Sequence, residues 1–149
     1  MRFSTRKTVS RKRWLMALLG LVSGCCSVRA QDVVVVANYS VQVSEIKDAD
    51  LRAIFTGEKT RFADGSHAVP VILKGGPVNE VFLQKHLGQS PGDFRAQWRK
   101  AVFTGQGAMP KAFDSESDLI NYVASTPGAL GYVSRISPHD DVKALSTSK

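Results

Sequence analysis

Asp32 to Ser40 reads DVVVVANYS, and the rest of the chain is best understood around it. Four consecutive valines, Val33 to Val36, leave no polar face. A strand of this kind must be covered on both sides, as in a parallel sheet with helices packed over it. The chain then turns polar at Asn38-Tyr39-Ser40. In open α/β sheets the ligand crevice lies just outside the carboxyl ends of the strands. Asn38 and Ser40 are therefore candidate ligand contacts, one an amide and the other a hydroxyl. The plainer alternative is a turn that binds nothing.

Downstream, helical and extended patterns alternate. Val41 to Val43 continues the extended stretch. Asp48 to Phe55 carries Leu51, Ile54 and Phe55 at helical spacing, with Asp48 as its expected N-cap and Gly57 as its stop. Asp64-Gly65 marks a tight turn. Ala68 to Leu73 reads as a second buried strand, with Pro70 pointing to an edge or a strand start. Gly75-Gly76-Pro77 breaks it, and a helix follows from Val78 to Leu87 with Val81, Phe82 and Leu87 inward. Ser90-Pro91-Gly92-Asp93 opens the next helix, with serine at the N-cap, proline at N1 and aspartate at N3. That helix runs to Gly105 with Phe94, Trp98, Val102 and Phe103 on one face. Residues 106–113 read as a loop. Asp114 or Ser115 caps a helix to Ser125 that Thr126-Pro127-Gly128 ends. Leu130 to Val133 and Val142 to Leu145 read as two more strands. The alternation predicts an α/β domain with a mixed, mostly parallel sheet flanked by helices.

The charge balance separates the chain into two parts. Of 20 basic and 13 acidic residues, seven basic and no acidic ones fall in Met1 to Ala30, which leaves 13 of each in the remainder. The expected domain, residues 31–149, is thus neutral and lacks the basic excess of a nucleic-acid-binding module. Residues 1–30 have the layout of a secretory signal: Arg6 to Arg13 positive, then the apolar core WLMALLGLV at 14–22, too short to span a bilayer. Cleavage after Ala30 is the preferred exit, because the folded domain starts at Asp32. Val22-Ser23-Gly24-Cys25 resembles a lipobox and offers the alternative, a lipid anchor on Cys25. The product is expected in the periplasm or outside the cell, bound to membrane only through that anchor. Cys25 and Cys26 are the chain's two cysteines, so cleavage after Ala30 removes every thiol and with it any disulfide or thiolate site.

The residues do not point to catalysis. His67, His86 and His139 have no metal-ligand spacing and read as surface histidines. Ser44-Glu45-Ile46-Lys47 matches S-x-x-K, but the partner motifs S-D-N and K-T-G are absent. No enzyme activity, cofactor or metal is expected. Anion binding is better supported. Leu73-Lys74-Gly75-Gly76-Pro77 is a strand, a small-residue turn and a helix start, where free amides and the helix dipole favour an anion and Lys74 adds a cation. Lys74, Gly75 and Gly76 join Asn38 and Ser40 as candidate contacts. Phe55-Thr56-Gly57 and Phe103-Thr104-Gly105-Gln106-Gly107 look similar but are explained as helix C-caps.

These pieces, in order, resemble the phosphate-binding proteins of ABC transporters in the type 2 periplasmic binding protein superfamily. The carrying stretches are VVVVANYSV at 33–41, DLRAIFTGEKTRFADG at 50–65, VPV at 69–71, FRAQWRKAVFTGQG at 94–107 and TPGALGYVS at 126–134. The resemblance implies a single small domain like one lobe of such a protein. It implies phosphate or a similar oxyanion as ligand and an ABC permease as a partner. Long members grip phosphate with a serine/glycine/threonine helix start, an arginine and an aspartate; the matching place here holds Lys74, Gly75, Gly76, Pro77 and Asn79. The other reading is a periplasmic interaction or sensor module that keeps the fold, docks on an envelope protein and has no transport role.

Overall fold

A computed structural model describes residues 32–135, 137 and 140–149. The expected leader and His139 lie outside those residues. Among the described residues six strands form one sheet in the order β2-β6-β1-β5-β3-β4. They are β1 (Val33–Ala37), β2 (Glu45–Lys47), β3 (Val69–Leu73), β4 (Lys111–Phe113), β5 (Ala129–Ser134) and β6 (Lys143–Ser148). The described residues also form four α-helices: α1 (Asp48–Phe55), α2 (Pro77–Phe82), α3 (Pro91–Phe103) and α4 (Glu116–Ser125). Leu83–Leu87 extends α2 as a wider π turn that Gly88 ends in the left-handed conformation. The expected α/β class and mostly parallel sheet are what the chain adopts.

Strand direction is the decisive feature. β5 is parallel to β3, β3 to β4, and β2 to β6, whereas β1 is antiparallel to both of its neighbours, β5 and β6. Five strands therefore share one direction and β1 alone opposes them. The valine run is central and covered on both sides, as expected, but it does not run with the sheet. Hydrophobic coverage depends on position within a sheet, and it carries no information about which way the strand points.

The two faces can be assigned from single contacts. Tyr132 of β5 stacks on Phe82 of α2, with ring centroids 3.8 Å apart and an interplanar angle of 8°. Phe55 of α1 meets the same Phe82 edge-on at 4.9 Å. A Cβ at the neighbouring Gly131 would lie 2.7 Å from Leu119 of α4, so α4 covers the opposite face. Val35 pairs with Tyr132 and faces α1 and α2; Val34 and Val36 pair with Val133 and Gly131 and face α4. This division accounts for four valines in sequence.

Local chemistry sets most element limits. Ser90 and Asp93 form a reciprocal capping box that starts α3, and Ser115 caps α4 by accepting from Asp118 N. Several expectations change. Asp48 is inside α1, not its cap; its carboxylate lies 2.8 Å from His86 Nδ1. His86 is accordingly buried, not a surface residue. Val102 and Phe103 do not face the core: α3 outruns the body it packs on, and they are 51% and 92% exposed. β4 replaces part of an expected loop, and β2 follows the extended stretch. Pro70 is the second residue of β3, so the strand-start reading of that proline holds.

Candidate functional site

The direction of β1 decides where the candidate contacts stand. Asn38 follows the carboxyl end of β1, which lies at the amino ends of the other five strands. There Asn38 N donates to Ala129 O at 2.9 Å, and Val69 N donates to Gly128 O at 2.9 Å. Gly75 and Gly76 follow the opposite end of β3. Four residue steps separate Val69 from Leu73, roughly 13 Å of strand. The structure thus brings Asn38 and Ser40 together, brings Lys74, Gly75 and Gly76 together, and separates the two groups by the height of the sheet. The expected cleft between them is not formed.

Asn38 and Ser40 are occupied with holding the fold. Asn38 Nδ2 donates to Val123 O at 2.7 Å and Ala124 O at 2.8 Å, closing the last turn of α4. Its Oδ1 accepts from Ser40 N at 2.8 Å, the local turn that asparagine favours. Ser40 Oγ accepts from Gly128 N at 2.9 Å. Asn38 is buried, with its amide oxygen and nitrogen both engaged.

The other group stands at the shared carboxyl end of β3 and β4, where open α/β sheets place ligands. Lys74 N donates to Phe113 O at 2.9 Å and keeps the turn against β4. Gly76 is the N-cap of α2 with φ 90°, a conformation that glycine adopts without strain, and Pro77 occupies N1. Among the described residues no side chain caps this helix start; Pro77 has no N–H and Glu80 N donates to Gly76 O, which leaves the amides of Val78 and Asn79. A Cβ at Gly75 or Gly76 would meet nothing within 4 Å, so the turn faces open space. Lys74 Nζ reaches Asp114 Oδ2 at 2.6 Å, with both side chains exposed. Asp114 had read only as a helix cap. The clue to its position is its place directly after β4, a strand of three residues that reads as loop.

Beneath the turn the fold is fixed by a buried polar chain. Tyr132 Oη accepts from Leu73 N at 3.1 Å and donates to Asn79 Oδ1 at 2.5 Å. A phenol has one hydrogen to donate, so this arrangement also fixes the Asn79 amide, oxygen toward Tyr132 and nitrogen away. Burial pushes the Tyr132 phenol well above its ordinary pKa, partly offset by the Leu73 N–H. Among the described residues no group of three or more His, Cys, Asp or Glu is placed to hold a metal ion.

The two FTG-type turns meet at a single indole. Cβ atoms at Gly57 and Gly107 would lie 2.9 and 3.4 Å from the Trp98 ring, and Trp98 Nε1 donates to Phe55 O at 3.0 Å. Gly57 thus seats the tryptophan in addition to following the end of α1, Gly107 only seats it, and Gly105 only follows the end of α3. Ser44 accepts from Ser146 N through its backbone oxygen at 3.0 Å.

No protein-family model matches the chain, and no curated protein matches it in sequence. Solved structures are similar in fold, among them three of phosphate-binding type. An ABC-type phosphate transport receptor from Vibrio cholerae aligns at TM-score 0.59 and 17% identity, over 78% of this chain and 46% of that one. A putative phosphate ABC transporter substrate-binding protein with bound phosphate, from Clostridium perfringens, aligns at 0.60 and 16%, over 77% and 44%. A possible phosphate binding protein from Planctomyces limnophilus aligns at 0.56 and 14%, over 78% and 41%. The chain spans less than half the length of each, and its single α/β domain resembles part of a phosphate-binding protein of this type.

Proposed function

We propose that this protein is an exported, single-domain, non-enzymatic binding protein. Its ligand is phosphate or a similar small oxyanion, held at the Lys74-Gly75-Gly76 turn and passed to an ABC permease. The observation that supports this most is the uncapped, glycine-opened helix start at the carboxyl end of β3, with Lys74 beside it. The first-turn amides would donate to the oxyanion and Lys74 would supply charge. Asp114 adds selectivity, because a carboxylate accepts the hydrogen of hydrogen phosphate and repels fully ionised sulfate. Asn38 and Ser40 belong to the framework in this reading, not the ligand shell.

Calorimetric titration tests it. Phosphate should bind and sulfate bind more weakly; Lys74→Ala should weaken phosphate, and Asp114→Asn should narrow the preference. No stabilisation by millimolar phosphate, with Lys74→Ala indistinguishable from wild type, would end this reading. Export rests on residues 1–30, and mass spectrometry of the mature N-terminus separates cleavage before Gln31 from a lipidated Cys25.

A second reading, an interaction module, is favoured by the exposed end of α3. Val102, Phe103 and Met109 are exposed, and with Trp98 they line a groove flanked by Arg95 and Arg99 with no acidic residue. The partner that fits is an acidic segment of another envelope protein with an apolar anchor; a second copy would set arginine against arginine. Phe103→Asp should abolish binding of such a partner and leave phosphate titration unchanged.

A further inference from the structure

Behind the Lys74 turn lies a cavity of about 200 Å³ under the β3–β4 edge, walled by Ile72, Leu83, Phe94 and Ala112. Its polar lining is Lys74, Asn79 and Arg95, and no acidic residue lines it. Asn79 is the informative member. It is 5% exposed, and Tyr132 takes its amide oxygen. Its Nδ2 makes no hydrogen bond among the described residues. The nitrogen keeps a small window to solvent, so an acceptor entering the hollow would find a donor that needs no rearrangement. Arg95, exposed on the first turns of α3, has no carboxylate within ion-pair distance among the described residues. One neutral donor and one cation without a carboxylate partner, Arg95, thus border a small apolar space, while the Lys74 ammonium is held by Asp114.

We propose that this cavity binds a small organic acid: one carboxylate on a compact apolar body. The carboxylate accepts from Asn79 Nδ2 and faces Arg95, and the apolar body packs on Leu83, Phe94 and Ala112. The volume is below the roughly 300–1,000 Å³ of drug-sized sites, so the ligand is small. Inorganic phosphate has no apolar part to bury here, so this site differs from the exposed turn although Lys74 borders both.

Benzoate is the probe, titrated calorimetrically against the intact chain with benzyl alcohol as its uncharged counterpart. Saturable one-to-one binding of benzoate at least tenfold tighter than benzyl alcohol is expected. Asn79→Asp keeps an oxygen for Tyr132 but replaces the donor with negative charge, and should weaken benzoate more than tenfold. Arg95→Gln, on the surface, does not depend on refolding the interior and should weaken it severalfold. Ala112→Leu fills the space and should remove benzoate binding while phosphate titration is unchanged. Absence of saturable benzoate binding, equal affinity for benzyl alcohol, or wild-type affinity in both Asn79→Asp and Arg95→Gln would overturn the proposal. Loss of phosphate binding alone would count only against the oxyanion turn.

Discussion

Asn38 Nδ2 stands 2.7 Å from Val123 O and closes the carboxyl end of α4 from the far end of β1. Three hydrogen bonds of one buried side chain converge there, counting Ala124 O and Ser40 N. Asn38→Ala leaves the Ala124 carbonyl and the Ser40 amide without partners and Val123 O with only its long bond from Thr126 N, and should cost ~2–4 kcal/mol of stability. Asn38→Asp should cost more, because it turns a carboxylate toward two carbonyl oxygens. Urea unfolding measures both. Phosphate affinity of the folded Asn38→Ala protein should match wild type; a tenfold loss without structural change would return Asn38 to the ligand shell.

The end of α1 and the start of α3 were legible because they depend on residues with local effects: a glycine after Thr56, and a serine, proline and aspartate before Phe94. The valine strand was equally plain, since two covered faces require two apolar faces. Its direction was not. Direction is set by which neighbours pair with it, and Val35 pairs with Leu145 on one side and Tyr132 on the other, both more than ninety positions away. That single missing fact misplaced Asn38 and Ser40. The short strands β2 and β4 were hidden for another reason. Three residues are too few to show a period, and Ile46 is the one buried residue of β2. With β4 unseen, Asp114 could not be placed beside Lys74.

Trp98 gives a second test. Its Nε1 is the partner of the buried Phe55 O, so Trp98→Phe should destabilise by ~1–3 kcal/mol through the unpaired carbonyl in addition to lost packing. Gly57→Ala and Gly105→Ala separate strain from contact. Both glycines have positive φ, 83° and 71°, but a Cβ at Gly57 would stand 2.9 Å from the Trp98 ring and one at Gly105 would meet nothing within 4 Å. Gly105→Ala should cost about 1 kcal/mol from backbone conformation alone. Gly57→Ala should cost clearly more, and equal losses in thermal melts would contradict this packing.

The TPG loop can be tested in the same way. A Cβ at Gly128 would lie 2.2 Å from His67 O, a backbone atom held where Val69 N bonds Gly128 O. Its φ of 75° adds strain. Gly128→Ala should cost more than ~4 kcal/mol and reduce soluble yield sharply. Gly131→Ala meets Leu119 Cδ2 at 2.7 Å and Val71 Cγ2 at 3.0 Å, which are side chains able to rotate. It should cost ~1–3 kcal/mol as overpacking between β5 and α4. A reversed ranking would contradict the close approach of β5 to residue 67.

Tyr132 predicts an alkaline limit to stability. Burial raises its phenol pKa in the folded protein, so the unfolded chain releases that proton first, near pH 10. The stabilisation is therefore fully present below pH 10 and declines as pH rises above it. The slope from this residue is about 1.4 kcal/mol per pH unit until the folded phenol also ionises. Tyr132→Phe should remove this share of the slope between pH 10 and 11.5. At pH 7 it should lower stability by ~1–3 kcal/mol, because Leu73 N and Asn79 Oδ1 lose their common partner. Urea midpoints measured across that range distinguish the two effects. An unchanged alkaline slope in Tyr132→Phe would mean that the phenol reaches solvent and is not enclosed between Phe82 and the sheet.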